Sequence, residues 1–155
     1  MLKSIEGNFD NYEVNELLKK HFVELRAASP EGSAHVLDIL GLKVPSIKFW
    51  SLWNKEKLIG CGALKFLDKE HGEFKSIRIH DDFRKQGQGI NVINHLINEA
   101  KKLKIKRLSI ETGASDFFIP ARKLFKKTGF IECEPFAHYK EDINSVYLTM
   151  LIDKS

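Results

Sequence analysis

Apolar and polar positions recur with helical spacing in the first part of the chain. One such series predicts a helix between residues 14 and 25, on the positions Val14, Leu17, Leu18, Phe22 and Leu25. The segment from Asp10 to Glu13 has the form of a capping box in front of it. The stretch from Ser33 to Leu40 predicts a second, short helix closed by Gly41.

The spacing then changes to that of strands. Residues 47–53 and 57–66 predict two strands joined by the polar turn "NKEK", which is typical of a hairpin, and a third strand follows at 73–80. An amphipathic helix over residues 90–103 comes next, then a strand in "IKRLSIET".

The last part of the chain predicts one more helix and two strands. The helix runs from a cap at Ser115 or Asp116 to about Thr128, with Gly129 ending it. Strands follow at 130–133 and 145–152. With one strand before the first helix, the order is roughly β-α-α-β-β-β-α-β-α-β-β. This order predicts an α/β fold, a mixed sheet with helices on both faces.

Composition sets the broad class of protein. The chain has 155 residues, 43% of them hydrophobic and 30% charged, which predicts a single domain over residues 1–155. We find no apolar run near the ~18 residues of a spanning helix and no signal-peptide core, so we expect a cytoplasmic protein with no membrane contact. Cys61 and Cys133 lie in apolar strand-like stretches, which favours buried, reduced thiols over a disulfide or metal pair.

The net charge is +4 and the pI is near 9.0. The positive residues cluster at 101–107 and 123–127, which fits a solvated helix face, a site for a small anion, or nucleic acid. No basic stripe interleaved with aromatic residues supports nucleic acid, so we expect none as a partner. The six histidines show no metal-ligand spacing, and no metal is expected.

A turn of glycines and amides, "RKQGQG" at residues 84–89, stands directly between a predicted strand and a long helix. Glycines leave backbone N–H groups accessible, and a helix N-terminus carries partial positive charge, so this turn predicts a phosphate site. The P-loop pattern is absent, and the dinucleotide pattern lacks its third glycine, because Ile90-Asn91-Val92 follows.

"RKQGQG" resembles the acyl-CoA pyrophosphate loop, [RQ]-x-x-G-x-[GA], of the GNAT superfamily of N-acetyltransferases. The segments "GEFKSIRI" and "SIETGASDFFIPARKLFKKTGFIECEPFAHYKEDINSVYLTMLI" resemble a bacterial subgroup of that superfamily, the YsnE-like proteins. The resemblance covers nearly the whole chain. It implies a GNAT-like, mostly antiparallel central sheet flanked by helices on both faces, and acetyl-CoA as the co-substrate.

The resemblance also implies where the co-substrate binds. The strand backbone near Ile77 and Ile79 would pair with the pantetheine arm, and Arg84 would add a cation near the phosphates. Phe125 occupies the helix position where many family members carry a tyrosine that protonates the leaving thiolate. The loop amides would hold the pyrophosphate; they belong to Gln86, Gly87, Gln88, Gly89 and Ile90.

Glu73 resembles the general base of several family members, because it lies eleven residues before Arg84 on the preceding strand. A glutamate on a surface strand, paired with a lysine, is the alternative. Since Phe125 has no hydroxyl, Tyr139 in "PFAHYKED" becomes the candidate proton donor or acceptor contact, unless it is a packed loop aromatic.

The acceptor side is less specific in sequence. His35 lies on the helix that walls the acceptor site in this family, and Thr112 and Gly113 end a central strand, a usual place for a ligand cleft. We therefore expect an N-acetyltransferase acting on an amine of a small molecule or peptide. A CoA-binding regulatory module without turnover, or transfer of another acyl group, is the alternative; exposed edge strands are compatible with a homodimer.

Overall fold

The computed structural model describes residues 2–29, 39–84 and 86–152. The helices are α1 (Tyr12–Ala28), α2 (Ile39–Leu42), α3 (Gln88–Lys102) and α4 (Ile119–Lys127). The strands are β1 (Lys3–Glu6), β2 (Ile47–Asn54), β3 (Lys57–Phe66), β4 (His71–Ile79), β5 (Arg107–Gly113), β6 (Ile131–Glu132) and β7 (Ser145–Leu151).

The strands form one seven-stranded sheet in the order β1-β2-β3-β4-β5-β7-β6. Neighbouring strands are antiparallel except β4 and β5, which run parallel. The β4–β5 register covers three pairs, from His71–Arg107 to Glu73–Ser109. The predicted mixed, mostly antiparallel sheet is therefore confirmed.

Helices cover both faces of this sheet, as predicted. The larger core lies where α3 and α4 pack on one face, and it includes Phe74, Leu96, Leu108, Phe125 and Leu148. The second core lies on the opposite face, where α1 and α2 cover β2 and β3; it includes Val14, Leu18, Leu42, Phe49 and Ala63. Of the described helices, none combines the length and apolar character needed to cross a membrane.

The ends of the first two helices differ from the prediction. The cap of α1 is Asn11, whose side-chain oxygen accepts a hydrogen bond from the Val14 N–H at 3.1 Å. The predicted cap at Asp10 was thus one residue too early, and no capping box forms with Asn11, because Val14 stands where the box needs a glutamate or glutamine. Gly41 lies inside α2 instead of closing it, and positions 33–38 of the predicted helix lie outside the described residues.

The end of the chain also shows local differences. A 3₁₀ turn, Asp116–Phe118, precedes α4, and the Ser115 side chain makes no capping hydrogen bond. Gly129 follows α4 at φ 115°, a conformation that favours glycine. The strand β6 is shorter than predicted because Phe130 turns into the larger core, where it is 2% exposed.

Cys61 and Cys133 form no disulfide within the described residues; that both are reduced stays a prediction. Cys61 is completely buried, and burial raises the pKa of its thiol to about 12. Cys133 is only half-buried, contrary to the expectation that both would be buried.

Candidate active site

The strand β4 carries a bulge in its second half. Ser76 and Ile77 together stand opposite Gly62 of β3, because the register shifts between the pairs Cys61–Arg78 and Ala63–Lys75. Ser76 adopts a φ of 55°, and its carbonyl accepts a hydrogen bond from the Cys61 thiol at 3.5 Å. The bulge bends the strand at this point.

The strands β4 and β5 part just before the bulge. Their parallel register ends at the pair Glu73–Ser109, and β4 continues to Ile79 paired with β3. The backbone at Ile77 and Ile79, predicted to pair with a pantetheine arm, therefore belongs to the part of β4 that has left β5. An extended, amide-rich ligand can lie along such an edge.

The predicted phosphate loop leads directly into α3. Gly87 caps the helix in the left-handed conformation, with φ 78°, and no side-chain hydrogen bond caps this end. The first N–H groups of a helix have no partner within the helix, and its dipole is positive there. The helix start formed by Gln88, Gly89 and Ile90 can therefore bind an anion, while the side chain of Gln86 is held by the carbonyl of Asp82 at 2.8 Å.

Arg84 is positioned by Asp81, which lies in the 3₁₀ turn after β4. The Arg84 Nε lies 3.4 Å from the Asp81 carboxylate, and Arg78 donates to the same carboxylate at 2.9 Å. A hydrogen bond from Lys20, together with the charges of Arg78 and Arg84, lowers the pKa of Asp81. The Arg84 side chain remains 47% exposed, so its guanidinium is available beside the phosphate loop.

Glu73 lies where β4 and β5 part, and it is 1% exposed. Its Oε2 atom accepts a hydrogen bond from the Tyr139 hydroxyl at 2.6 Å and another from Lys75 Nζ at 3.2 Å. Its Oε1 atom is buried without a hydrogen-bond partner among the described residues. A buried carboxylate oxygen without a donor is costly, which is typical of a site that acts on a ligand.

The structure brings Glu73 and Tyr139 together, although 66 positions separate them in sequence. Burial first, and then the negative charge of Glu73 and the hydrogen bond to it, raise the pKa of Tyr139. The phenol is therefore neutral at physiological pH, and its proton points to the carboxylate. The alternative of Glu73 on a surface strand is wrong, since the side chain is buried, but the lysine partner in that alternative is present as Lys75.

Lys75 completes the cluster, and sequence reasoning did not include it among the site residues. Its Nζ atom lies 3.1 Å from the Tyr139 hydroxyl, in addition to the contact with Glu73. Its side chain is 11% exposed. The signal was present in the spacing: residues i and i+2 of a strand share a face, so Lys75 follows Glu73 on the same side of β4.

The segment between β6 and β7 holds Tyr139 over the sheet. Phe136 packs edge-on against Tyr139, with ring centroids 5.2 Å apart, and against Tyr147 at 5.9 Å. The Tyr147 hydroxyl donates to the carbonyl of Lys140 at 2.7 Å. These contacts fix the aromatic side chain relative to Glu73.

A chain of hydroxyl groups lies beside Glu73 on the same face. His71 Nε2 is 2.7 Å from the Ser109 hydroxyl, which is 2.9 Å from that of Thr149. Thr149 also contacts the Leu108 carbonyl at 3.1 Å, and Arg107 donates to Thr149 at 3.0 Å. A carbonyl can only accept, so all four contacts are satisfied only if Thr149 donates to Leu108, Ser109 to Thr149, and His71 to Ser109.

Phe125 lies in the larger core, 5% exposed, with its ring centroid 5.8 Å from that of Phe130. A phenyl ring cannot donate a proton, so this helix position supplies packing; its predicted contact with the co-substrate stays a prediction. His35 lies outside the described residues.

Thr112 is buried, and Gly113 is covered by Phe118, whose ring would lie 2.1 Å from a Cβ atom at that glycine. Phe118 also lines a cavity of about 280 Å³, together with Ala27, Ala28, Ser29, Ser115 and Asn144. Gly113 is therefore next to a cavity that also borders the end of α1, whereas Thr112 lies on the opposite face of β5, the face of Leu108 and Ile110.

Residues 2–29, 39–84 and 86–152 contain no group of three or more His, Cys, Asp or Glu side chains that could hold a metal ion.

A buried carboxylate beside two parting strands, followed by a glycine turn at a helix start, is the arrangement of an acyl-CoA-dependent acyltransferase. The chain belongs to the acetyltransferase (GNAT) family, whose sequence model matches residues 12–130. The prediction that the chain is an N-acetyltransferase of this superfamily is thereby confirmed at the level of the family.

Two relatives match most of the chain. The uncharacterized N-acetyltransferase YsnE of Bacillus subtilis (strain 168) is 46% identical over 137 residues, which covers 88% of this chain and 91% of YsnE. The uncharacterized N-acetyltransferase YedL of Escherichia coli (strain K12) is 38% identical over 139 residues, covering 90% and 87% of the two chains. The predicted likeness to YsnE-like proteins is therefore confirmed.

A solved structure shows the same fold at lower identity. The Campylobacter jejuni N-acetyltransferase PseH, in complex with acetyl coenzyme A, superposes with a TM-score of 0.68 at 20% identity, covering 99% of this chain and 100% of PseH. This similarity confirms the fold.

Proposed function

We propose that the protein transfers an acetyl group from acetyl-CoA to an amine of a small molecule or peptide, by direct attack, with Glu73 as the general base. The observation that carries this proposal is the buried Glu73 carboxylate, whose Oε1 atom has no hydrogen-bond partner among the described residues. It lies at the point where β4 leaves β5.

The residues present fit acetyl-CoA. Gly87 leaves the start of α3 without a side-chain cap, so the amides from Gln86 to Ile90 would hold the pyrophosphate, with Arg84 beside them. The backbone at Ile77 and Ile79 would pair with the pantetheine arm. Acetyl-CoA supplies an acyl group activated as a thioester, and PseH binds the same molecule on the same fold.

Glu73 would prepare the acceptor for attack. An alkylammonium has a pKa of about 10, so at neutral pH it must lose a proton before its nitrogen becomes nucleophilic. Oε2 already accepts two hydrogen bonds, and Oε1 is the oxygen left to take that proton. Tyr139 is a positioning residue in this proposal, because its hydroxyl holds the carboxylate in place.

The acceptor would reach Glu73 from the side of α1. The cavity of about 280 Å³ between the end of α1 and the 3₁₀ turn supports this route. Gly113, which Phe118 of the cavity wall covers, and Thr112 and His35 stay predicted contacts. We expect the reaction to take place in the cytoplasm without nucleic acid, membrane or metal, and a homodimer stays a prediction.

The binding half of the proposal is tested by calorimetry with acetyl-CoA. Gln88→Glu places a carboxylate at the first residue of α3, where it favours the helix dipole but repels a pyrophosphate. We expect at least a tenfold loss of affinity with no loss of stability. Asn91→Asp, an exposed change of the same charge one turn later, is the matched control and should retain most of the affinity.

Gly89 is a less suitable position for that test, because a Cβ atom there would lie 2.7 Å from Leu124 of α4. Equal affinity in Gln88→Glu and wild type, or no binding by either protein, would contradict the proposed phosphate loop.

The catalytic half is tested by release of CoA thiol from acetyl-CoA against a panel of amino acids, diamines and short peptides. Glu73→Gln should bind acetyl-CoA as the wild type does and turn over on the order of 10²- to 10⁴-fold more slowly. Binding without thiol release for every amine would favour a CoA-binding regulatory module. Faster turnover with a longer acyl-CoA would favour a different acyl group.

A further inference from the structure

We infer that Lys75 is the general acid of this site: its ammonium group faces the sulfur of CoA and donates a proton to the departing thiolate. The inference rests on the proposed function, since it requires CoA to lie along β4. It assigns the proton donation that Phe125 cannot perform to a residue of the same strand as the base.

The position of Lys75 relative to β5 supports this assignment. The β4–β5 register ends at Glu73, so Lys75 is the first residue on that face of β4 beyond the point where the strands part. Its register partner on β3 is Ala63, which marks the edge of the apolar core on that face. The Lys75 side chain is 11% exposed, which limits competition from water.

The order of the binding elements along the chain brings the sulfur to this place. The phosphate loop follows the far end of β4, and the pantetheine arm would run back past Ile79 and Ile77. The thioester end then arrives at the bulge of Ser76, whose neighbour is Lys75. Glu73 lies one position further on the same face, where the attacking amine is needed.

The hydrogen bonds show which group has a proton to give. Tyr139 has a single hydroxyl proton, and it is donated to Glu73 at 2.6 Å. Lys75 has three N–H donors; one contacts Glu73 at 3.2 Å and one contacts the Tyr139 oxygen at 3.1 Å. The third N–H of Lys75 can donate to the sulfur of CoA. Tyr139 is thus a positioning residue, because it contacts both Glu73 and Lys75 and fixes their side chains relative to each other.

An acceptor that arrives as an ammonium loses two protons, and the reaction releases one of them to water. Glu73 accepts the first proton, which makes the nitrogen nucleophilic, and passes it to water. The nitrogen then forms the new C–N bond and gives its second proton to Glu73, while the C–S bond breaks and the sulfur takes the electron pair and a proton from Lys75. The proton on Glu73 then passes to the neutral Lys75 along their existing contact of 3.2 Å, which restores both groups.

The neighbouring charges define what removal of Lys75 should do. The Lys75 ammonium has two carboxylates and a phenol in its neighbourhood: Glu73 of β4, Glu111 of β5 and Tyr139 of the segment before β7. Both carboxylates raise the pKa of Tyr139 through their charge. A thiol that faces Lys75 among these carboxylates has its thiolate stabilised by the ammonium. Without the ammonium, the carboxylates disfavour the thiolate and raise the thiol pKa.

The test is a titration of the thiol of enzyme-bound CoA, followed by the ultraviolet absorbance of the thiolate. Lys75→Met should raise the pKa of the bound thiol by about one unit or more relative to the wild type. Lys75→Arg keeps a cation and should leave it close to the wild-type value. Lys57→Met, an exposed lysine at the start of β3, is the control and should change nothing.

The outcomes separate the two proposals. If CoA binds and its thiol titrates identically in the wild type and Lys75→Met, the role of Lys75 is overturned while the proposed CoA site stands. If the wild type does not bind CoA, the proposed function fails, and the inference fails with it. Because the titration requires bound CoA, it also shows whether each variant is folded.

A second readout separates proton donation from charge alone. Hydroxylamine is an amine that is already unprotonated at pH 7, so its acetylation by acetyl-CoA bypasses the base and reports on departure of the thiolate. Arginine cannot release its proton at this pH. Lys75→Arg should therefore be about as slow as Lys75→Met, on the order of 10²-fold below the wild type. Equal rates for Lys75→Arg and the wild type would overturn the acid role.

Discussion

The face of the sheet that α1 covers has two halves with different chemistry. On β2 and β3 it presents Phe49, Cys61 and Ala63 to α1 and α2. On β4, β5 and β7 it presents Glu73, Ser109 and Thr149, which the register places opposite one another. Ala63 and Lys75 form the register pair where the apolar half meets the polar half.

The two halves are stabilised by different means. The apolar half needs only close packing, and its side chains are almost completely buried. In the polar half each buried donor or acceptor needs a partner, and the chain of His71, Ser109 and Thr149 satisfies this need. Within the part of the chain that the structure describes, Glu73 Oε1 has no hydrogen-bond partner, so we infer that the apolar half provides stability and the polar half provides the chemistry.

The strongest challenge to this division is the removal of a large side chain from the apolar half. Phe49 is 2% exposed, so Phe49→Ala should lower the free energy of unfolding by about 3–5 kcal/mol. Urea denaturation measures the loss. The folded fraction should still bind acetyl-CoA as the wild type does.

Phe117→Ala provides the control for that experiment, because the Phe117 side chain is 51% exposed. Phe117→Ala should change the free energy of unfolding by no more than about 0.5 kcal/mol, as other surface substitutions do. Equal losses in the two variants would show that the apolar half is not the source of stability.

A pH experiment examines the boundary between the halves. His21 of α1 is 6% exposed, and burial, followed by the charges of Arg78 and Arg84, lowers its pKa to about 3. The unfolded chain binds this proton near pH 6.5, so stability is full above that pH and falls as the pH drops toward 3. The loss from this residue should be about 2 kcal/mol between pH 6.5 and pH 5.

His21→Phe should remove that part of the pH dependence, measured as the free energy of unfolding in urea at pH 7 and pH 5. The exposed His138 serves as the control, and His138→Asn should keep the wild-type slope. An unchanged slope in His21→Phe would contradict the assignment of a neutral, buried imidazole.

A loss of stability smaller than that of Phe49→Ala is expected from the polar half itself. Tyr139→Phe removes the hydroxyl that donates to Glu73 at 2.6 Å, and a hydrogen bond to a charged group contributes about 1.5–3 kcal/mol. Thermal or urea unfolding should therefore show a smaller loss than for Phe49→Ala. Tyr12→Phe, at a tyrosine that is 77% exposed, is the control and should leave the free energy of unfolding unchanged. If Tyr139→Phe lost as much stability as Phe49→Ala, the apolar half would not be the main source of stability.

Much of the fold could be predicted from periodicity. The hairpin at 47–66, the strand before the glycine turn and the amphipathic helix after it all rest on local patterns, and the structure contains each of them. The cap of α1 could not be placed to the residue, because Asp10 and Asn11 are both good capping residues and only the backbone decides which one reaches Val14.

The site was predictable in its parts and not in its connections. Glu73 and Tyr139 could be named from motifs, but their contact depends on how the segment before β7 folds back over β4. The contact of Lys75 with Glu73 and Tyr139 could not be predicted, because a lysine on a strand usually lies in solvent and its burial becomes visible only with Tyr139 in place. The series of hydrogen bonds from His71 through Ser109 to Thr149 joins three strands, and no local sequence pattern predicts it.

The parallel contact between β4 and β5 also bears on the order of folding. The strands β2, β3 and β4 are joined by short turns, whereas β5 reaches β4 only after a crossover through α3 and only along three register pairs. Closing the longer connection costs more chain entropy, so we expect the antiparallel strands to form first and β5 with β7 to dock on them later. The acyl-transfer cleft would then be the last part of the molecule to assemble.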